Sequence, residues 1–307
     1  MVTILMPISK LLQTLDPHPV LAVPLGNVSL LRLDLVDTAA PGNKWFKLQA
    51  IVRQTRDERI GRLVSFGGAW SNHLHALAAV GAQEGLATVG IVRGDDGLAL
   101  TPTLRDCRDW GMELMFVSRQ EYRRRHDPDY LAQLAASFGQ CRVIPEGGGS
   151  VDGVMGCIDI GRLLSGSPTK PGKVVVAVGT GTTLAGIAIG LGPDWEVVGV
   201  AALRGASDLE ARIRGAIDNT GAPGPVAAWS LLHDYHSGGF ARVNPALKAF
   251  ILEFEAVQGV QLDPVYSAKA LFAVHTLRET GAWDAREPIT VIHTGGLQGR
   301  RGYDWLS

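Results

Sequence analysis

Four short segments carry residues whose types and spacing suit them to chemistry. In Pro41-Gly42-Asn43-Lys44-Trp45-Phe46-Lys47-Leu48, Lys44 stands at a helix start among bulky apolar neighbours. Loss of hydration there favours the neutral amine and hence Schiff-base chemistry with a carbonyl compound. A single lysine is far more often a solvated surface group, so Lys44 gains meaning only from its company. The segment Val178-Gly179-Thr180-Gly181-Thr182-Thr183 follows an apolar strand and opens a helix, aiming backbone N–H groups and hydroxyls where a phosphate would fit. A dinucleotide site would need Gly or Ala at Leu184 and an acidic residue after the next strand, where Val200-Ala201-Ala202 has none. A nucleoside triphosphate loop would need a lysine that is absent here. A phosphate cup or a plain strand-to-helix turn both stay open. In Ser65-Phe66-Gly67-Gly68-Ala69-Trp70-Ser71-Asn72-His73 the last three residues either present polar groups to a cleft or include the cap of the apolar helix Leu74 to Val80. The fourth region pairs Asp263-Pro264-Val265-Tyr266-Ser267 with His293-Thr294-Gly295-Gly296, each placing a hydroxyl at a turn. A metal fits poorly. His73 and His75 do not face each other on a helix, and His233-Asp234-Tyr235-His236 offers no further ligand.

These segments need strands and helices to hold them. Val- and Ile-rich runs occur at Val28 to Leu35, Leu63 to Phe66, Thr88 to Val92, Glu113 to Val117, Arg142 to Ile144, Val174 to Val178, Val197 to Val200 and Ile289 to His293. Between them lie helical patterns. Asn43 can cap a helix with Trp45, Leu48 and Val52 on its apolar side, and Asn244-Pro245 starts another that ends at Gly259. Strand and helix alternate throughout, which predicts mostly parallel sheets covered on both faces. Ligands in such sheets sit beyond the carboxyl ends of the strands, where the glycine turns lie. The uncharged run Val174 to Gly192 is long enough to cross a bilayer, but its glycines and threonines suit a buried strand, loop and helix better. The Gly-Gly-Gly-Ser stretch at 147–150 is the best-marked boundary between two lobes.

Charge narrows the partners. The 29 basic and 30 acidic side chains among 307 residues nearly cancel, so no field draws the chain to nucleic acid or to an anionic membrane. A small neutral or zwitterionic molecule is the expected partner. Cys107, Cys141 and Cys157 are odd in number and lack a Cys-x-x-Cys pair, against a disulfide framework or a thiolate zinc site. Met1 to Lys10 has no signal-peptide pattern, and the expected location is the cytoplasm.

Taken together, the segments from about Gly42 to Gly299 resemble the 1-aminocyclopropane-1-carboxylate (ACC) deaminases and D-cysteine desulfhydrases. These are enzymes of the pyridoxal 5'-phosphate (PLP)-dependent, tryptophan synthase β-like fold. The resemblance implies an α/β, two-domain protein with a large PLP-binding domain, 1–48 and 152–307, and a small domain, 49–151. It implies that Lys44, in Gly42-Asn43-Lys44-Trp45-Phe46-Lys47-Leu48, holds the cofactor as a Schiff base. Asn72 would bind the cofactor's ring oxygen, with Ser71 beside the substrate carboxylate and His73 where the family pattern has Gln. Gly179, Thr180, Gly181, Thr182 and Thr183 would form the phosphate cup, and Tyr266 and Tyr235 would be active-site tyrosines. Ser267 and Thr294, near the pyridine nitrogen, replace the Glu and Leu expected of deaminases and favour the desulfhydrase branch. The implied reaction is β-elimination from a small amino acid such as D-cysteine. Ring opening of ACC is the alternative, and a non-catalytic nucleotide-binding or regulatory protein is the rival from another class. A homodimer is expected by the same resemblance.

Overall fold

A computed structural model describes residues 12–14, 25, 27–95, 97 and 99–306; the N-terminal segment Met1 to Lys10 lies outside them. Its strands fall into two sheets. The larger has the order β1 (Leu12–Thr14), β2 (Val28–Arg32), β10 (Ile289–His293), β7 (Lys173–Val178), β8 (Glu196–Ala201) and β9 (Ala228–Leu232). β1 pairs antiparallel with β2 and every other pairing is parallel. The smaller, wholly parallel sheet has the order β5 (Glu113–Val117), β4 (Ala87–Arg93), β3 (Arg62–Gly67) and β6 (Arg142–Ile144).

The long apolar runs reflect burial on both faces. Val174, Val176 and Val178 enter a core with Leu184, Ala185 and Ile187 of α7 (Thr182–Leu191) and with Val154 and Cys157 of α6 (Val151–Ser165). The alternate residues Val175 and Ala177 enter a second core with Phe250 and Phe254 of α9 (Pro245–Gln258) and Leu271 and Val274 of α10 (Ser267–Glu279). Period-two alternation thus supplies both layers. The uncharged run 174–192 is accordingly a strand, a glycine turn and a ten-residue helix, and among the described residues no helix is long and apolar enough to cross a membrane. In the smaller sheet, Val64, Phe66, Val89 and Ile91 pack beneath Tyr122, Tyr130 and Leu134.

The helix expected along Leu74 to Val80, with Ser71, Asn72 and His73 at its first turn, is α2 (Asn72–Glu84). Two sequence expectations are corrected. The run Val28 to Leu35 stops being a strand at Arg32, and Leu33–Leu35 form a 3-10 turn. Asn43 does not cap α1 (Asn43–Asp57); that position is Gly42, with φ 95°, and the Asn43 side chain turns elsewhere. The expected start and stop of α9 hold: the Asn244 side chain accepts from the Leu247 N–H, and Gly259 closes the helix in a left-handed conformation.

Candidate active site

The site is assembled where helix N-termini meet the carboxyl ends of strands. α1 begins against the end of β10: Asn43 N–H donates to Thr294 O at 3.2 Å, and Gly42 touches the Thr294 carbonyl and Gly295 so closely that a Cβ at Gly42 would overlap backbone. Only glycine combines that approach with φ 95°. Asn43 Nδ2 then donates to Thr183 Oγ1 at 2.8 Å, tying the Lys44 turn to the glycine-threonine loop. Lys44 Nζ donates to Asn43 Oδ1 at 3.2 Å. Burial first, and then the neighbouring Lys47 cation, lower the Lys44 amine to about 7, with Cys157 and Asp263 opposing. An amine so placed is about half neutral at neutral pH, as Schiff-base formation and proton abstraction require.

The glycine-threonine loop opens α7 at Gly181, φ 91°, and no side chain caps this helix. Thr180 and Thr182 share a hydroxyl hydrogen bond of 3.0 Å. The first-turn N–H groups of a helix lack intrahelical partners, so N–H groups and hydroxyls converge as an anion site would need. Gly179 lies under Tyr266: a Cβ there would stand 3.4 Å from the tyrosine Cε1. Tyr266 is raised well above an ordinary phenol by burial, then by Asp263 and Glu146, and keeps its proton.

Asp263 organises the next turn. Its carboxylate, almost fully buried, accepts from the N–H groups of Val265, Tyr266 and Ser267. The Ser267 hydroxyl accepts from Thr294 N–H at 3.2 Å and lies 3.4 Å from Thr294 Oγ1. Both residues are buried. The pair therefore presents two neutral hydroxyls at one buried corner.

Ser71 is the N-cap of α2, accepting from Leu74 N–H at 3.2 Å, which leaves its hydroxyl proton available. Asn72 Oδ1 accepts from Gln298 Nε2, and its Nδ2 lies against Gly296. His73 Nε2 is 2.9 Å from Ser65 Oγ, and that hydroxyl donates to Ile144 O at 2.8 Å. The serine proton is thus engaged, which assigns the imidazole proton to Nε2 and leaves Nδ1 a buried acceptor without a partner. Burial, then Lys44 and Lys47, hold His73 well below the usual imidazole range and therefore neutral.

The contacts join Lys44, Thr183, Thr294, Ser267, Tyr266 and Gly179 into one chain of neighbours. Asn72 meets it at Gly296, and the 146–148 turn after β6 carries it on, with Gly147 against Thr180 and Gly148 against Lys47 and His73. Tyr235 is half-buried on the same apolar core as Tyr266. His233 and His236 have local partners, Glu210 at 2.7 Å and Gly238 N–H at 3.0 Å.

Sequence reasoning passed over Lys47, Asp263 and Gln298. Lys47 is 2% exposed and donates to Gly147 O at 3.0 Å. Its position three residues after Lys44 puts both lysines on one helix face, a signal that was readable. Gln298 had none, because its partner Asn72 is 226 residues away.

The arrangement fits a cofactor with a phosphate at one end, an aldehyde near the middle and a ring nitrogen at the other. The cup, the Lys44 amine and the Ser267–Thr294 pair supply a matching group for each. Comparison with known proteins leads to the same class. Residues 18–295 match the model of the pyridoxal-phosphate dependent enzyme family. The chain is 30% identical over 283 residues to a D-cysteine desulfhydrase of Salmonella choleraesuis, a match that covers 88% of this chain and 86% of that protein. A solved ACC deaminase homologue superimposes with a TM-score of 0.83 at 25% identity, covering 96% of this chain and 92% of that one. Threonine deaminase isoform 2 of Solanum lycopersicum shares the fold, with a TM-score of 0.66 at 16% identity over 98% of this chain and 90% of that one. With residues 18–295 matched, the chain belongs to the pyridoxal-phosphate dependent enzymes.

Proposed function

We propose that the chain catalyses PLP-dependent β-elimination on a small amino acid such as D-cysteine, taking up water and releasing keto acid, ammonia and sulfide. The observation that carries this reading is the half-buried Lys44, whose desolvated amine is lowered to about 7 and linked through Asn43 to the hydroxyl of Thr183. Thr180, Thr182 and Thr183, with the backbone at Gly179 and Gly181, would hold the phosphate. Asn72 would hold the ring oxygen and Lys44 the aldehyde carbon. When bound, PLP supplies an electron sink for charge arising at the substrate α-carbon.

The protein's own groups do the rest. Ser71, whose oxygen already accepts the Leu74 N–H, donates its hydroxyl proton to the substrate carboxylate, with the first turn of α2 and neutral His73 alongside. The Lys44 amine takes the α-proton. Tyr266, with Tyr235 as its partner, hydrogen-bonds the departing sulfur. The Cβ–S bond breaks with its electron pair going to sulfur, so the group departs as hydrosulfide, a weakly basic anion that needs a hydrogen bond more than a full proton. Ser267 and Thr294 would offer the ring nitrogen hydroxyls in place of a carboxylate, which would temper charge withdrawal and suit elimination over transamination.

The likeness to an ACC deaminase homologue supports a second reading, ring opening of ACC to 2-oxobutyrate. The test is the absorbance spectrum of the purified protein before and after borohydride, with D-cysteine, L-cysteine and ACC added in turn. An imine band trapped on Lys44, with sulfide and pyruvate from D-cysteine, is the expected outcome. Release of 2-oxobutyrate from ACC would move the assignment to the second reading, and a protein that stays colourless with added PLP would refute both. The separation of the strands into two sheets supports a large lobe of 1–48 and 152–307 and a small lobe of 49–151. A cytoplasmic homodimer completes the proposal.

A further inference from the structure

Lys269, in the first turn of α10 two residues beyond Ser267, is fully buried, and the reaction outlined above gives it no task. Its ammonium donates to Gly239 O at 2.8 Å and to Ala202 O at 3.3 Å. A buried lysine is uncommon and costly, since an apolar side chain would fill the space without desolvating a charge. What the charge achieves is a junction. Ala202 N–H donates to Val178 O at 2.9 Å, so Ala202 is fixed beside the residue that leads into the cup. Gly239 belongs to the loop after β9, where Gly238 and Gly239 have φ 98° and 122°, and Ser237 and Ala241 have φ 52° and 54°.

Left-handed conformations at residues with side chains persist when the surroundings hold them; here hydrogen bonds inside the loop, from Gly239 N–H to His236 O and from Arg242 N–H to Gly239 O, both 3.1 Å, are joined by two ties to other elements. Lys269 holds Gly239 O, and the Tyr303 hydroxyl donates to Ala241 O at 3.1 Å. Phe240 sits between the tied residues. It is 52% exposed, yet its ring meets Tyr266 edge-on at 6.2 Å. The Tyr266 ring in turn rests over Gly179.

We propose that Lys269 is a positioning residue: by pinning Gly239 and Ala202 to α10 it holds Phe240 against Tyr266 and fixes the tyrosine hydroxyl over the cup. Its consequence for turnover rests on the role given to Tyr266 above; the pinning itself does not.

The experiment compares the PLP-loaded wild type with Lys269→Met, Phe240→Ala and the double variant. Trypsin cleavage after Arg242, an exposed residue just past the tied loop, is timed, and kcat and KM are measured with whichever of D-cysteine, L-cysteine and ACC is turned over. Lys269→Met is expected to speed cleavage at Arg242 about tenfold or more and to lower kcat about tenfold with KM little changed. Phe240→Ala is expected to lower kcat similarly without faster cleavage, and the double variant to be no slower than the slower single, because both act through one contact. Unchanged cleavage in Lys269→Met, or fully additive losses of kcat, would overturn the proposal. If Lys269→Met does not fold, an unaltered kcat in Phe240→Ala would overturn it alone. Cleavage requires no turnover, so it decides the clamp even where elimination fails, and an unaltered kcat in Tyr266→Phe would remove the tyrosine's role while leaving the clamp to the protease result.

Discussion

The turns after β7 and β3 look alike in sequence, an apolar strand, glycines and a helix start, yet they leave different groups free. After β7, Gly181 opens α7 with no side-chain cap, and the threonine hydroxyls bond to each other and to Asn43. After β3, Ser71 caps α2 itself by accepting the Leu74 N–H. An uncapped N-terminus keeps its N–H groups for an anion; a capped one offers mainly the hydroxyl proton of its cap. The first therefore suits a permanently held phosphate, and the second a carboxylate that must come and go.

That contrast can be broken in order of expected effect. Lys44→Ala, which removes the group between the two turns, should abolish the imine band and cut kcat by on the order of 10³-fold, read by absorbance and sulfide release. Gly181→Ala should weaken PLP binding about tenfold or more, because the position has φ 91° and a Cβ would stand 2.6 Å from Ile213 Cγ1. Equilibrium titration of the apo-protein with PLP checks this, and an unchanged affinity would mean that the cup is not the phosphate site. Ser71→Ala should do the reverse, leaving PLP affinity intact while lowering kcat/KM and costing about 1 kcal/mol of stability from the lost cap, measured by urea unfolding.

The smallest effect concerns pH. Only a neutral Lys44 can attack the PLP aldehyde, so imine formation by the apo-protein should rise through about pH 7 and level off above it. Lys47→Met removes the cation that helps to lower Lys44 and should move that midpoint upward. Stopped-flow absorbance across pH 5.5 to 8.5, a range of about three units around the His and amine region, would show a shift in the other direction if Lys47 acted differently.

Much of the frame was legible because its signals are local. β5, β6 and β10 fall where Glu113 to Val117, Arg142 to Ile144 and Ile289 to His293 predict them, β6 and β10 as β-branched runs and β5 as the apolar run Leu114 to Val117. β9 was missed: Ala228-Trp229-Ser230-Leu231-Leu232 lies at the sheet edge, is only half-buried and lacks the Val and Ile of the inner strands. Asn43 reads as a cap because Asn is a good one, but the close backbone contact between Gly42 and Thr294 moves the helix start and frees Asn43 to reach Thr183.

The sequence by itself determined the alternation of strands and helices, the glycine turns at their ends and the set of residue types able to bind a phosphate and form an imine. Periodicity, turn chemistry and side-chain functionality act over a few residues and can be read along the chain. Only the tertiary structure decided that the Lys44 amine is desolvated beside a buried Lys47, that Ser267 and Thr294 share one corner, that His73 has an acceptor without a partner and that Lys269 joins two loops. Amine pKa values and hydrogen-bond partners depend on desolvation and on groups up to 226 residues apart, such as Asn72 and Gln298, and those are set only when the layers close.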